Sequence, residues 1–163
     1  MNHSILRHLS VCLLASAWVF ANPAAGQFWG GDAKQEAPEV GWDRLITLNY
    51  QTGDFPPELG AINGENIKLP GFVVPLALVE GKLKEFLLVP SYGYCIHVPP
   101  PPPNQMVHVT REEPVGLEVV RFVGHFSAPV WVTGRLQIAE ANSMYGVASF
   151  SFTGNAVDPY PLE

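Results

Sequence analysis

The chain has 163 residues, with nine Lys and Arg against fifteen Asp and Glu, a formal charge of −6, and two cysteines. That acidic balance argues against nucleic acid and anionic membrane surfaces as partners, because both need basic clusters. The length suits a single domain with a real core rather than a multidomain protein.

The first residues have the grammar of a secretory signal. Arg7 and His8 lie in a short polar start, Leu9 to Ala21 is apolar, and small residues follow through Gly26. The apolar run is shorter than the roughly 20 residues a membrane-spanning helix takes. Cleavage after Ala21 or after Gly26 fits a small-residue rule. Gly26 is preferred, which makes residues 1–26 the signal peptide and the mature chain periplasmic or secreted, with no stable membrane insertion after cleavage. Cys12 follows Val11 rather than a small residue, which argues against lipid attachment. Loss of Arg7 with the signal leaves eight basic against fifteen acidic side chains, a charge of 8 − 15 = −7. It also leaves Cys95 unpaired in an oxidising compartment, where it must be buried, bound or reactive.

Residues 27–41 mix glycine, proline and charge without an apolar period and read as a flexible lead-in. Residues 42–163 read as one domain. The spacing of Trp42, Leu45 and Ile46 predicts a short helix, with a strand from Leu45 as the alternative. Residues 51–66 are turn chemistry, including Pro56–Pro57 and Asn63–Gly64. Ile67 to Leu76 is the first strand, interrupted by Pro70–Gly71, where an edge, a bulge or a sharp bend is expected. Glu80–Gly81–Lys82 is a turn, and Leu83 to Val89 pairs back as a hairpin.

Beyond the centre of the chain, Val115 to Val123 is rich in β-formers. Pro129 to Ile138 alternates cleanly, with Val130, Val132, Leu136 and Ile138 on one side. Met144 to Phe152 is the last strand, with Phe150 and Phe152 sharing a face with Ala148, and a proline-bound tail follows. Five to six short strands with one N-terminal helix predict a mainly β domain. The preferred architecture is a small antiparallel barrel of the oligonucleotide/oligosaccharide-binding (OB-like) type.

The stretch from Phe86 to Val109 carries the unusual residues. Cys95 and His97 lie two apart. In a strand they share a face, with α-carbons about 6.6 Å apart, and both suit one zinc ion as sulfur and imidazole ligands. A third ligand must come from elsewhere, and His108 is the candidate. If the loop spans seven residues, Ile96 pairs with His108 and the imidazole falls on the face away from Cys95. A one-residue shift or bulge reverses that, and the sequence leaves the question open.

Pro99, Pro100, Pro101, Pro102 and Pro103 predict a polyproline II rod about 15 Å long. It reads either as a rail that fixes the Cys-x-His segment or docks a partner, or as a structural strap over one end of the barrel. Cys95 likewise has three readings: metal ligand, small core hydrophobe and reactive thiol. His125 reads as a loop histidine, and the tryptophans and phenylalanines as core. Phosphate loops, Cys-x-x-Cys pairs, Gly-x-Ser-x-Gly elbows and His-Glu-x-x-His helices are absent from the sequence.

The segments GFVVPL (71–76), FLLVP (86–90), CIHVPPPPPNQ (95–105) and PVWVTGRL (129–136) together resemble the exported bacterial family known as domain of unknown function three-two-nine-nine. The resemblance covers about residues 42–160. Cys95, His97, Asn104 and Gln105 match its motif, and His108 lies just outside it. The resemblance implies an exported protein and, through members associated with transporters for zinc supply, an envelope transporter or other periplasmic protein as partner. This chain lacks a lipobox and carries Tyr94 where a small residue is expected, so anchoring is not implied.

The expected function is that of a periplasmic accessory protein binding zinc, or copper, through Cys95, His97 and His108. The alternative is a non-catalytic envelope interaction module with a structural proline strap and a buried Cys95. A thiol enzyme ranks last, because His97 is the one general base near Cys95.

Overall fold

The computed structural model describes residues 36–91, 100–119, 122–123 and 126–161. The helix expected at Trp42 is present as α1, Trp42–Leu45, and a second short helix, α2, Pro57–Gly60, lies inside the segment read as turns. Pro57 opens α2 at its first helical position, where a missing N–H costs nothing. Leu45, Leu48, Leu59 and Ile62 from these two helices and their flanks join the same buried cluster as the barrel interior.

The first strand, β1, Asn66–Val79, is longer than the sequence suggested and continues through Pro70–Gly71, with its register shifts further on, between Pro75 and Leu78. Residues 66–71 pair with β6, Val130–Gln137, and residues 72–79 pair with β2, Lys82–Val89, so one strand changes neighbour at the proline–glycine step. Proline suits this change of neighbour because it has no N–H to offer the ladder. Its carbonyl accepts a 2.6 Å hydrogen bond from Trp42 Nε1, which ties α1 to this step. Gly71 is required by close approach, since a Cβ there would sit 2.7 Å from Leu88 Cγ and 2.9 Å from the Val89 carbonyl oxygen. Gly71→Ala is expected to cost about 1–3 kcal/mol of stability by overpacking, read as a lower denaturation midpoint; an unchanged midpoint would remove Gly71 from the barrel's closure.

The hairpin expected between β1 and β2 is present, but its turn has two residues rather than three, because Lys82 already belongs to β2. Val79 pairs with Lys82, and both Glu80 (φ 52°) and Gly81 (φ 75°) take the left-handed conformation of a type I′ turn, which matches strand twist.

The remaining strands are β3, Val107–Val115; the short pair β4, Phe122–Val123, and β5, Phe126–Ser127; the hairpin β7, Ala141–Ser143, and β8, Gly146–Ala148; and β9, Phe150–Pro159. The closed barrel runs β1–β2–β3–β9–β6 and back to β1. The expected small barrel of five strands is therefore present, but it is mixed rather than antiparallel throughout. β3 and β9 run parallel, with Val107 opposite Phe150 and His108 opposite Ser151. The connection through β6 to β8 is long enough to bring β9 back in the same direction, which no hairpin allows.

Two further expectations are corrected. The strand expected over Val115–Val123 is instead the end of β3, a turn at 117–119 and the short β4. The last strand does not begin at Met144. A separate hairpin occupies 141–148, Ser149 donates its N–H to the Pro103 carbonyl at 2.9 Å, and β9 then extends through Pro159. Phe150 and Phe152 do share the interior face, whereas Ala148 belongs to a different cluster.

Strand alternation sorts the side chains. Ile67, Leu69, Val73, Phe86, Leu88, Val107, Val109, Val132 and Leu136 face inward with the two phenylalanines. Outside the barrel a smaller apolar cluster collects Val74, Leu87, Val89, Met106 and Ala148, with Phe72, Leu76 and Tyr145 packed against it. On the far side, Lys68 Nζ lies 3.0 Å from Glu39 Oε1 and 4.6 Å from the centre of the Trp131 ring, which stacks on Tyr160.

Candidate functional site

Residues 106 to 110 alternate between the barrel interior and its outer surface. Val107 and Val109 point in, so His108 points out, beside the outer apolar cluster. Its ladder partners are Leu87 on β2 and Ser151 on β9. Both edges of the strand are thus taken at His108, and Ile96, its partner in the seven-residue-loop case, lies outside the described residues.

Glu85 pairs with Thr110, which makes it the diagonal neighbour of His108 across the β2–β3 ladder, within reach for a long side chain. A register shift between Leu83 and Glu85 lets Leu83 and Phe86 both face inward and turns Glu85 out. His108 Nε2 lies 2.7 Å from Glu85 Oε1, with the imidazole 11% and the carboxylate 37% exposed. The separation suits an ion pair. Its direction misses the alignment a hydrogen bond requires, so this buried ring nitrogen has no formed hydrogen-bond partner. The pair stands near the end of β2 from which the segment carrying Cys95 and His97 departs, since Leu88 pairs with Val107.

Cys95, His97, Pro99 and His125 lie outside the described residues. Among the described residues no three His, Cys, Asp or Glu side chains gather as a metal-holding group. His108 and Glu85 offer one imidazole and one carboxylate, a donor pair suited to zinc. Glu85 escaped the sequence reading because it sits in an ordinary alternating strand, KLKEFLLV. Only the bulge and the β2–β3 register place it beside His108.

The prolines that follow are packed into the fold. Pro101 is buried, the carbonyls of Pro102 and Pro103 accept from the N–H groups of Gln105 and Met106, and residues 103–105 form a single 3-10 turn. Asn104 reaches back to the end of α1, where its Nδ2 donates to the carbonyls of Ile46 at 3.0 Å and Leu48 at 2.9 Å. One is the carbonyl of the helix C-cap and the other lies just past the helix end, and both are satisfied by a side chain 58 and 56 residues away. The described part, Pro100 to Gln105, therefore straps α1 to the start of β9. Asn104→Leu is expected to cost about 1–3 kcal/mol by stranding those carbonyls, measured by chemical denaturation; an unchanged midpoint would leave the strap without an energetic role.

A second orphaned donor is Arg111 Nη1. Its Nε and Nη2 donate to the carbonyls of Glu113 and Asn155. Burial lowers this guanidinium's pKa, while Asp158 and Glu113 oppose that shift.

The family model described as "Protein of unknown function (DUF3299)" matches residues 50–159, which include the whole barrel, Glu85, Cys95, His97 and His108. The crystal structure of a DUF3299 family protein from Pseudomonas aeruginosa PAO1 is 32% identical and superposes with a TM-score of 0.61. The similarity covers 78% of this chain and 99% of that one. No curated protein matches the chain.

Proposed function

The chain belongs to the DUF3299 family, and we propose that it is an exported accessory protein that binds a transition metal, zinc before copper, through His108 and Glu85 with Cys95 and His97. The observation that carries this reading is the imidazole nitrogen of His108, buried beside a carboxylate with no aligned hydrogen bond. An imidazole nitrogen and a carboxylate oxygen 2.7 Å apart are close enough to be shared by one cation. The donor set of imidazole, carboxylate and thiolate is borderline in softness, which suits zinc and disfavours magnesium and calcium. Export rests on residues 1–26, and the partner class is an envelope transporter or another periplasmic protein.

Native mass spectrometry of the mature protein with zinc tests the reading. One retained zinc per chain in the wild type, lost in Cys95→Ser, is the expected result. An apo spectrum at micromolar zinc would end it.

A second reading, the envelope interaction module, draws on the β1–β2 hairpin tip, where Leu78 is 53% and Val79 47% exposed. Adjacent exposed aliphatics are typical of docking surfaces. In that case Leu78→Ser weakens partner capture and metal content is unaffected.

A further inference from the structure

The loop between α1 and α2 is held in one shape by its own hydrogen bonds. Asn49 Oδ1 accepts from the N–H groups of Gln51 at 3.0 Å and Thr52 at 3.3 Å. The Asn49 N–H donates to the Asp54 carbonyl at 2.9 Å, and the Gly53 N–H donates to the Asn49 carbonyl at 2.7 Å. The Thr52 hydroxyl donates to Asp54 Oδ2 at 2.7 Å, and Gly53, at φ 81°, supplies the left-handed step. This braced loop holds out two aromatic rings, Tyr50 and Phe55, each 43% exposed.

The rings do not stand alone. With Gln51, Ile138, Glu140 and Ser149 they line a pocket of about 370 Å³, formed between this loop and the connection that follows β6. Its size falls in the range of about 300–1,000 Å³ typical of small-ligand sites. Ser149, one of the polar residues of the lining, is only 5% exposed.

We propose that this pocket binds a neutral sugar. A pyranose presents a weakly positive C–H face, which complements the negative face of an aromatic ring. It also presents hydroxyls that both donate and accept, matching the amide of Gln51, the hydroxyl of Ser149 and the carboxylate of Glu140. No lysine or arginine lines the pocket, and Glu140 adds negative charge, so sugar phosphates and uronic acids are disfavoured. One wall of the pocket, Ile138 to Glu140, belongs to the connection between the last two barrel strands, one of the loops that OB-type barrels use together with the face of strands 2 and 3. The site is separate from the His108–Glu85 pair and stands whether or not a metal binds there.

The test is titration of the full chain with lactose, maltose and chitobiose to about 10 mM, with glucose 6-phosphate as the charged control, followed by calorimetry or NMR shifts. Saturable binding of at least one neutral disaccharide is expected, weakened about tenfold or more in Tyr50→Ala and in Phe55→Ala at unchanged thermal midpoint. Co-sedimentation with purified peptidoglycan, competed by the free disaccharide, assigns the polymer as the source; no co-sedimentation assigns a free sugar. Absence of neutral-sugar binding, tighter binding of the phosphate, or affinity untouched by both aromatic variants overturns the proposal.

Discussion

His108→Ala is expected to lower zinc affinity by at least about 100-fold while leaving the barrel folded. Loss of a residue that merely orients a ligand already costs 10–100-fold, so loss of a ligand sets about 100-fold as the lower bound. The fold should tolerate the change because His108 lies on the outer face, where its ladder partners are held by backbone bonds that alanine preserves. Competition against a chromophoric chelator gives the affinity, and guanidinium denaturation gives the stability.

Glu85→Gln separates the metal reading from a plain ion pair. An exposed or half-exposed pair contributes at most about 1 kcal/mol to stability. If the pair is only that, both variants shift the unfolding midpoint slightly and zinc affinity stays where it was. If the two side chains hold a cation, the glutamine variant loses affinity through the missing anionic oxygen. Zinc affinity unchanged in His108→Ala would sink the site as drawn here.

Phe150→Ala should be the most damaging single truncation. The ring is fully buried, its residue stands opposite Val107 across the parallel pair, and with Phe152 it fills the interior where β3, β9 and β6 meet. Truncating a buried phenylalanine to alanine costs about 3–5 kcal/mol, transfer and cavity together. Against the 5–15 kcal/mol typical of whole domains, that is a large share of the total. Val79→Ser, at the exposed hairpin tip, is the control and should move stability by about 0.5 kcal/mol or less. A guanidinium midpoint that falls with an unchanged slope is the expected signature. A loss under about 1 kcal/mol for Phe150→Ala would place the ring outside the load of the core.

Much of the architecture is written locally. The period of two in Val130, Val132 and Leu136 places those residues inside because alternate side chains of a strand share a face. Glu80–Gly81 gives the hairpin because few residues accept positive φ, and a type I′ turn needs two in succession. Pro70–Gly71 marks the step where β1 changes neighbour, and Trp42 with Leu45 marks the helix. The proline block with its flanking residues carries the family. The candidate site was less legible. His108 was singled out as the third ligand, but its face, its neighbours and its carboxylate partner were open.

What the sequence by itself determined is therefore the class of fold, the Glu80–Gly81 hairpin, the inward face of β6, and the family. The tertiary structure decided the parallel pairing of β3 with β9, the strap from Asn104 to the end of α1, the shift that turns Glu85 outward, and the aromatic pocket between Tyr50 and Glu140. The physical reason is range. Alternation and turn geometry depend on a few adjacent backbone angles, whereas the partner of a strand or of a buried nitrogen is chosen by segments tens of residues away competing to satisfy the same edges and the same core.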